Sequence, residues 1–355
     1  YPVKEEGYLL SLSDALNNPM PSRTDIMEGL VRLGLMSPGD QPLLTELTGG
    51  ISSEIYKIDL ALGSVCVKRA LPTLKSDPDW HVPVSRSSAE YEWLQVAQKI
   101  SPGMAPDPIG FDAEANIVVM VYLDPGKNPN WKEQLRDGNI DPTFAALTAE
   151  RLATLHNATA GLPDIAETFD NDEIFYDIRL EAYFVAAGRA VPVVQDILTE
   201  IVHETAEAKE ALVHGDVSPK NILVGDAGPV FLDAECAWYG EPAFDAAFCL
   251  THFLLKAIWK PQWHDGYKAC HKAFRETYLG SAAWIDAKVL DRRVTRLHLG
   301  MLLARVSGRS KVEYITDPEM QKRIITFTSR HLLGGINRTE DVASLWLQEF
   351  ADADN

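Results

Sequence analysis

Residues 211–235 of the chain have the sequence ALVHGDVSPKNILVGDAGPVFLDAE, and this stretch is the most informative about the fold. Two short apolar runs, ILVG and PVFLD, flank a GDAG turn, a pattern typical of two antiparallel strands. The polar segment HGDVSPKN precedes them. The stretch therefore predicts a small β-rich island that begins with a polar loop.

Upstream of this island the sequence predicts a sheet. From Leu43 onward, the strand-favouring runs LLTEL, EIYKIDL and VCVKRAL are separated by Gly and Ser turn signals. IGFD and NIVVMVYL are two further candidate strands, the second of them a continuous apolar run of strand length. AEYEWLQVAQKI before them has apolar residues at helical spacing. Residues 43–123 are therefore predicted to form an antiparallel sheet of about five strands with one helix.

The remaining sequence is predicted to be mostly helical. Long segments such as FAALTAERLATLHNATA, FDAAFCLTHFLLKAIW and VTRLHLGMLLARV favour helices. Residues 1–42 mix apolar patches with Pro and Gly and are predicted to be a helical N-terminal extension. The predicted fold class is α+β, with an N-terminal sheet lobe over 43–123, a larger helical lobe over 124–355 and a cleft between the lobes.

The composition argues against several functional classes. With 33 basic and 51 acidic residues, the net charge of −18 disfavours nucleic acids and anionic membranes as partners. No uninterrupted apolar run approaches the length of a membrane span. The first residues lack a secretory signal, and the four cysteines lack metal-site or dense disulfide spacing. We therefore expect a cytoplasmic protein; the sequence does not predict its oligomeric state.

The polar loop contains the residue types that phosphoryl transfer uses. In such reactions one carboxylate accepts the proton of the attacking hydroxyl, while an amide oxygen and a second carboxylate hold Mg²⁺ on the nucleotide phosphates. In this interpretation Asp216 is the catalytic base, and Asn221 and Asp233 bind the metal. The alternative is a polar turn in which Asp216 and Asn221 only cap backbone groups.

The segments HGDVSPKN and FLDAE resemble the catalytic and metal-binding loops of the aminoglycoside phosphotransferase and choline kinase-like family, which has a protein-kinase-like fold. The resemblance extends over about residues 43–315. It implies a two-lobed kinase-like fold with ATP and Mg²⁺ as cofactors. The implied reaction is phosphorylation of a hydroxyl group on a small molecule, such as an aminoglycoside-like compound, an amino alcohol, a sugar or a hydroxy metabolite.

The resemblance also implies a pair of nucleotide-binding residues. Lys68 in VCVKRAL matches the family's lysine that contacts nucleotide phosphates, and the helix glutamate that pairs with it is Glu90 or Glu92. Glu90 shares a helix face with Trp93 and Leu94, whereas Glu92 lies about 200° away. Glu90 is therefore the predicted partner, although Ser87–Glu90 also matches a helix-capping box.

Two further stretches match the family's nucleotide site. TGGISS, at residues 48–53, lies between the first two predicted strands, where small residues let backbone N–H groups approach phosphates. Ser52 and Ser53 are the candidate phosphate contacts there, with a simple turn as the alternative. Tyr122 ends the last predicted sheet strand, where the family's hinge holds the adenine, although side chains there are equally compatible with core packing.

Other residues are expected to support the catalytic loop. Asp245 in PAFDAAF matches an aspartate that buttresses this loop in the family, and His214 is expected to orient it. Lys220 is a candidate for neutralising charge on the transferring phosphoryl group, with a solvated lysine as the alternative. Glu235 is a candidate ligand for a second Mg²⁺.

The acceptor is less well defined by the sequence. Trp238 and Tyr239 are candidates for contacting an amine, sugar or base, but core packing is the favoured interpretation. Arg305, Arg309 and Lys311 could recognise a carboxylate or phosphate, but cations are also favoured at a helix C-terminus. Neither set selects an acceptor.

Two competing functions remain open. The metal loop contains DAE rather than DFG, and no APE motif follows, so a polypeptide substrate is disfavoured and a protein kinase is the weaker alternative. The other alternative is a nucleotide-binding protein that has the same fold but no catalytic activity. The presence together of Lys68, Asp216 and the two predicted metal ligands argues against silence.

Overall fold

The computed structural model describes residues 23–47, 52–61, 63–74 and 77–350. They form two compact units. The first contains the described residues up to Tyr91 together with Asp107–Tyr122, and the second contains Glu92–Pro106 and the residues from Leu123 onward. The division falls within one helix, Arg86–Ile100. The domain boundaries predicted from the sequence, after residues 42 and 123, stay a prediction.

The first unit is built on a five-stranded antiparallel sheet. Its elements are α1 (Arg23–Arg32), β1 (Leu43–Glu46), β2 (Ser53–Leu60), β3 (Gly63–Ala70), β4 (Thr73–Leu74), β5 (Asp77–His81), the beginning of α2 (Arg86–Ile100), β6 (Pro108–Asp112) and β7 (Ile117–Val121). The strand order is β1-β2-β3-β7-β6, and every neighbouring pair is antiparallel. The predicted five-stranded sheet is confirmed. The separate β4–β5 pair was not predicted.

One side of this sheet forms a hydrophobic core with α1. Alternate residues of β2 and β3 point to the same side, since side chains in a strand have a period of two. The buried members of this core are Ile26, Leu30, Tyr56, Ile58, Val65, Val67, Ala115, Ile117 and Val119. The helix of the predicted N-terminal extension is therefore part of the core of the first unit, while residues 1–22 of that extension lie outside the described residues.

The second unit is mostly helical, as predicted. After the end of α2, its α-helices are α3 (Trp131–Arg136), α4 (Pro142–Thr159), α5 (Pro163–Thr168), α6 (Asp172–Phe175), α7 (Ala186–Ala190), α8 (Gln195–Glu207), α9 (Ala243–Trp259), α10 (His264–Ser281), α11 (Ala287–Ser307), α12 (Pro318–Leu333) and α13 (Thr339–Phe350). A π-helical segment, Tyr176–Val185, connects α6 to α7. Short 3-10 turns occur at Pro192–Val194, Pro219–Asn221 and Pro261–Trp263.

The polar loop of the second unit lies between two small antiparallel ladders. β8 (Ala211–Val213) pairs with β11 (Trp238–Gly240), and β9 (Ile222–Gly225) pairs with β10 (Gly228–Phe231). The predicted strands ILVG and PVFLD are confirmed by the second ladder. Helix α9 follows directly, and its residues from Ala243 to Ala257 are all buried, as its nearly all-apolar sequence requires.

All four cysteines are free thiols, and three of them are buried. Within the described ranges, no helix combines the length and apolar character needed to cross a bilayer.

Candidate active site

The polar loop after β8 is held by a carboxylate from α9. Asp245 lies in the first turn of α9 and is fully buried. Its Oδ2 accepts a hydrogen bond from the backbone N–H of His214 at 2.7 Å, and its Oδ1 accepts one from Gly215 at 2.8 Å. Charge-assisted hydrogen bonds of this kind are strong. The contacts agree with the predicted buttressing role of Asp245.

Gly215 allows the chain to turn tightly after His214. Its φ is +80°, in the left-handed region that residues with a side chain rarely adopt. A Cβ atom on Gly215 would lie 2.6 Å from the backbone oxygen of Cys236, which is too close for any side chain. The conformation and the packing therefore both require glycine next to Asp216.

His214 orders the loop in its neutral form. Its buried ring accepts a hydrogen bond on Nδ1 from the backbone N–H of Asp216 at 3.2 Å, and its Nε2 lies 3.1 Å from the backbone oxygen of Leu232. Burial lowers the pKa of His214, so a neutral ring that donates from Nε2 satisfies both contacts. This geometry agrees with an orienting role.

Asp216 presents one paired and one unpaired carboxylate oxygen. Its Oδ2 contacts the guanidinium of Arg179 at 3.1 Å and the ammonium of Lys220 at 3.2 Å. Its Oδ1 is buried and has no hydrogen-bond partner among the described residues. Burial alone would raise the pKa of Asp216, but the charges of Lys220 and Arg179 outweigh it and hold the pKa well below its usual range. The carboxylate is therefore ionised, and its Oδ1 is not engaged by another described residue; the role of Asp216 as a base stays a prediction.

Arg179 is a site residue that sequence analysis missed. It lies in the π-helical segment and is buried. Besides pairing with Asp216, it donates from Nε to the backbone oxygen of Gly215, so it holds the loop and the carboxylate together. The only available signal was an arginine between Ile178 and Leu180 in an apolar segment. A buried arginine needs a partner, but nothing in the sequence identifies it.

Asn221 and Asp233 are brought to the same end of the β9–β10 ladder. The side-chain Nδ2 of Asn221 donates to the backbone oxygen of Asp216 at 3.1 Å, which leaves its Oδ1 as the remaining ligand atom. The backbone N–H of Leu232 donates to the backbone oxygen of Asn221 at 2.8 Å, so Asp233 follows immediately beside it. Asp233 has a φ of +67°, a left-handed conformation that aspartate tolerates better than most residues.

These donors fit Mg²⁺. Magnesium prefers oxygen ligands and is commonly held by one or two carboxylates together with substrate phosphates and water. One amide oxygen and one carboxylate match that requirement. The described residues contain no cluster of three His, Cys, Asp or Glu side chains that would suit a fully protein-bound ion. The metal-binding roles stay a prediction.

The first unit contains a buried ion pair. The Nζ of Lys68 on β3 lies 2.8 Å from Oε2 of Glu90 on α2, and both side chains are less than a tenth exposed. Arg69, the next residue on β3, pairs instead with Glu54 on β2. Periodicity therefore selected the right glutamate as the partner of Lys68, whereas the nucleotide contacts of the pair stay a prediction.

Arg86 anchors the start of the helix that carries Glu90. It is fully buried and donates to the backbone oxygens of Ser52 at 2.6 Å and Leu71 at 2.7 Å. It also donates to the carbonyl of Pro83 at 2.9 Å. These bonds tie the first turn of α2 to the beginning of β2 and the end of β3. The sequence did not single out Arg86.

The remaining predicted nucleotide contacts lie at strand ends. Ser53 is the first residue of β2 and is buried, and the backbone oxygen of Ser52 accepts hydrogen bonds from Leu71 and Arg86. Thr48–Ile51, the rest of the predicted phosphate loop, lies outside the described residues. Tyr122 follows the end of β7, and the Nζ of Lys57 lies 5.3 Å from its ring centroid. The roles of Ser52, Ser53 and Tyr122 stay predictions.

Two of the acceptor candidates have structural contacts. Trp238 is buried, stacks on Phe175 at 4.2 Å and donates from Nε1 to Asp172 at 2.5 Å, as expected for core packing. Arg305, near the end of α11, donates from one terminal nitrogen to the backbone oxygen of Ser310 at 2.6 Å.

Solved structures that superpose on the chain show which fold it adopts. An ethanolamine kinase from Plasmodium vivax superposes with a TM-score of 0.56 at 17% identity, covering 94% of this chain and 95% of that one. An amicoumacin kinase, solved with AMP-PNP and Ca²⁺, superposes with a TM-score of 0.53 at 12% identity, covering 90% of this chain and 96% of that one. At these identities the likeness shows the fold, and the predicted protein-kinase-like α+β class is confirmed.

The sequence comparison then defines the family. Residues 44–279, more than half of the chain, match the phosphotransferase enzyme family, and the chain belongs to it. Methylthioribose kinase from Yersinia enterocolitica is 26% identical over 239 residues. That match covers 59% of this chain and 59% of that protein, so the chain spans less than two-thirds of this relative.

Proposed function

We propose that the protein is an ATP- and Mg²⁺-dependent kinase that phosphorylates a hydroxyl group of a small molecule. The observation that carries the proposal is Asp216, whose buried Oδ1 is unpaired while its Oδ2 is held by Arg179 and Lys220. The acceptor classes are aminoglycoside-like compounds, amino alcohols, sugars and hydroxy metabolites. Relatives and structural neighbours named as kinases of small molecules support this choice.

Asp216 would orient the acceptor and take its proton. The free Oδ1 would accept a hydrogen bond from the acceptor hydroxyl, aligning the hydroxyl oxygen for attack on the γ-phosphorus of ATP. The new bond to the γ-phosphorus would form as its bond to the bridging oxygen of ADP breaks, and ADP would leave with that oxygen. The lowered pKa of Asp216 makes it a weak base, so the proton would move late, when the new P–O bond has acidified the hydroxyl. Positioning would therefore account for most of its contribution.

Nucleotide contacts are assigned to residues of each unit separately. Lys68, held by Glu90, would contact the phosphates, with Ser52, Ser53 and Tyr122 as further contacts. Asn221 and Asp233 would hold Mg²⁺, which when bound neutralises charge on the phosphates. The neighbour solved with AMP-PNP and Ca²⁺ supports the use of a nucleotide with a divalent cation. Free thiols fit a cytoplasmic location.

The proposal is tested by ADP release from Mg–ATP over a panel of amino alcohols, aminoglycosides, sugars, nucleosides and hydroxy acids. We expect at least one class to stimulate release. Calorimetric titration with ATP, with and without Mg²⁺, supplies an independent readout of the metal site. Asp233→Ala should lose the Mg²⁺-dependent part of ATP affinity, whereas Asp226→Asn, an exposed aspartate in the turn between β9 and β10, should retain it.

The outcomes separate the competing functions. Tight Mg–ATP binding with no acceptor stimulating ADP release would favour the catalytically silent nucleotide-binding protein. Phosphate transfer to a polypeptide would favour a protein kinase. Absence of ATP binding by the wild-type protein would refute both the proposed function and the silent alternative.

A further inference from the structure

A lysine that the proposed reaction does not use is buried in the second unit. Lys256 lies on α9 and is 1% exposed. Among the described residues, no ion pair or hydrogen bond engages its ammonium. Lysine is almost never fully buried without a partner, because removing its charge from water is costly. This side chain is therefore missing a counter-ion.

Aromatic rings account for only part of the surroundings of Lys256. Its Nζ lies 5.3 Å from the ring centroid of Trp259 and 5.1 Å from that of Tyr314, and these two rings are stacked at 4.6 Å. Ring faces attract an ammonium but offer none of the oxygen acceptors that its three N–H groups can bind. The hydroxyl of Tyr314 is likewise buried without a hydrogen-bond partner in the described part of the chain.

Lys256 belongs to a group of cations around one histidine. The segment 312–314 joins three of these cations: the backbone N–H of Val312 donates to the backbone oxygen of Arg305 at 2.9 Å, Glu313 contacts Lys132 at 2.6 Å, and the Tyr314 ring lies 5.1 Å from Lys256 Nζ. Burial and the charges of Arg305, Lys256, Lys220 and Lys132 also hold the pKa of His252 well below its usual value. We call Lys132, Lys220, Lys256 and Arg305 the cation cluster. Such a concentration stands out in a chain whose net charge is −18.

The carboxylates near the cation cluster are already paired with other members. Glu313 contacts the Nζ of Lys132 at 2.6 Å, and Asp216 contacts Lys220 at 3.2 Å. Arg305 uses one terminal nitrogen for Tyr183 and Ser310, while its Nε is buried and has no hydrogen-bond partner within the described ranges. Among the described residues, no carboxylate lies within salt-bridge distance of Lys256 or Arg305, although the charge of Glu313 acts on both.

The cation cluster adjoins the proposed catalytic carboxylate and reaches solvent. The guanidinium of Arg179, which pairs with Asp216, lies 5.9 Å from the ring centroid of Tyr183, and Arg305 lies 5.6 Å from the same ring. The side chains of Lys132 and Lys220 are 38% and 48% exposed, so part of the cluster is open to a ligand.

We propose that the cation cluster binds an anionic group, a carboxylate or a phosphate, on the acceptor whose hydroxyl Asp216 orients, with Lys256 and Arg305 as the principal contacts. This inference rests on the proposed kinase function and narrows its acceptor class. The anion would supply oxygen acceptors to the Arg305 Nε and the Tyr314 hydroxyl, which have no hydrogen-bond partner among the described residues, and to the Lys256 ammonium, which contacts only ring faces. Neutral and cationic acceptors would leave these groups unpaired.

Calorimetry with matched probes tests the anion site directly. Lactate is compared with lactamide, and glycerol phosphate with glycerol, each in the presence of Mg–ADP. We expect the charged member of at least one pair to bind about tenfold or more tightly than its neutral counterpart, as charge-assisted hydrogen bonds require. If lactate binds more tightly than lactamide, the site recognises a carboxylate. If glycerol phosphate binds more tightly than glycerol, it recognises a phosphate.

Variants distinguish an anion site from a packing role. Lys256→Met keeps the length of the side chain and should abolish most of the preference, while Lys268→Met, at an exposed position of α10, should retain it. Because the substitution removes a buried charge without a counter-ion, Lys256→Met should unfold at the same or a higher temperature than the wild type. If Lys256 serves only to pack on the two rings, Lys256→Met should instead lower the unfolding temperature and leave the preference for the charged probe unchanged.

Different results would refute the proposed anion site and the proposed kinase function. Equal binding within both probe pairs, no binding of either anion at millimolar concentration, or a preference that survives in Lys256→Met would each overturn the anion site. The kinase function would still stand if ADP release were stimulated by a neutral or cationic acceptor and Mg–ATP bound normally.

Discussion

Replacing Arg179 tests the most unexpected contact of the candidate active site. Arg179→Met would remove the ion pair to Asp216 and the hydrogen bond to the carbonyl of Gly215, both buried. Breaking a buried pair typically costs 3–5 kcal/mol, and an unsatisfied carbonyl adds to this. Lys220 continues to pair with Asp216, which reduces the loss. We therefore expect the free energy of unfolding to fall by about 3 kcal/mol.

The assay is urea unfolding combined with a thermal melt. A loss of that size should lower the melting temperature by about 4 °C in a chain of this length. Arg189→Met is the matched control, because Arg189 follows the same helical stretch but is 66% exposed in its pair with Glu181. Its effect should stay within about 0.5 kcal/mol. An Arg179→Met protein as stable and as active as the control would refute the role assigned to Arg179.

The ion pair between Arg179 and Asp216 also predicts how the stability difference between wild type and Arg179→Met depends on pH. The pKa of Asp216 is lowered in the folded state, so the stability it contributes is present above its unfolded pKa of about 3.9 and lost as the pH falls through the folded value. The stability difference between wild type and Arg179→Met should be constant from about pH 5 to 8 and shrink below about pH 4. A difference that grows on acidification would contradict this linkage.

Two further substitutions test the geometry of the loop. Gly215→Ala combines a left-handed φ with a 2.6 Å approach to the backbone oxygen of Cys236, and it should destabilise the protein by about 3 kcal/mol. Gly161→Ala, with a φ of +69° but open space around the new Cβ, should cost only about 1 kcal/mol. Urea unfolding measures both losses, and equal losses would contradict the clash with Cys236. Asp245→Asn keeps one oxygen acceptor for the two backbone N–H groups, so the free energy of unfolding should fall by about 2 kcal/mol. The variant should also have a lower kcat at unchanged ATP affinity. Normal stability and normal kcat would show that the loop does not depend on this carboxylate.

Local patterns explain why much of the fold was predictable. Strand alternation and Gly or Ser turns identified the five-stranded sheet, because each strand of the sheet buries one face. Helical periodicity selected Glu90 over Glu92, and the structure pairs Glu90 with Lys68. The polar loop could be recognised because its key residues lie within one short stretch between two ladders.

The missed residues depend on contacts between distant segments. Arg179 lies far upstream of Asp216, and Arg86 donates to carbonyls of three separate segments, so neither has a spacing that indicates its partner. Lys256 is in an apolar helix, and its missing counter-ion became evident only from its burial. Such features arise from tertiary packing, which single-sequence periodicity does not contain.

Single-turnover transfer of γ-³²P from ATP to the acceptor found in the panel is the most direct measurement of the central claim. Wild type is compared with Asp216→Asn and with Asp226→Asn, all saturated with Mg–ATP. We expect Asp216→Asn to bind ATP normally but to transfer phosphate about 10²–10⁴-fold more slowly, while Asp226→Asn matches the wild type. Transfer by Asp216→Asn at the wild-type rate would contradict the assignment of Asp216 as the base.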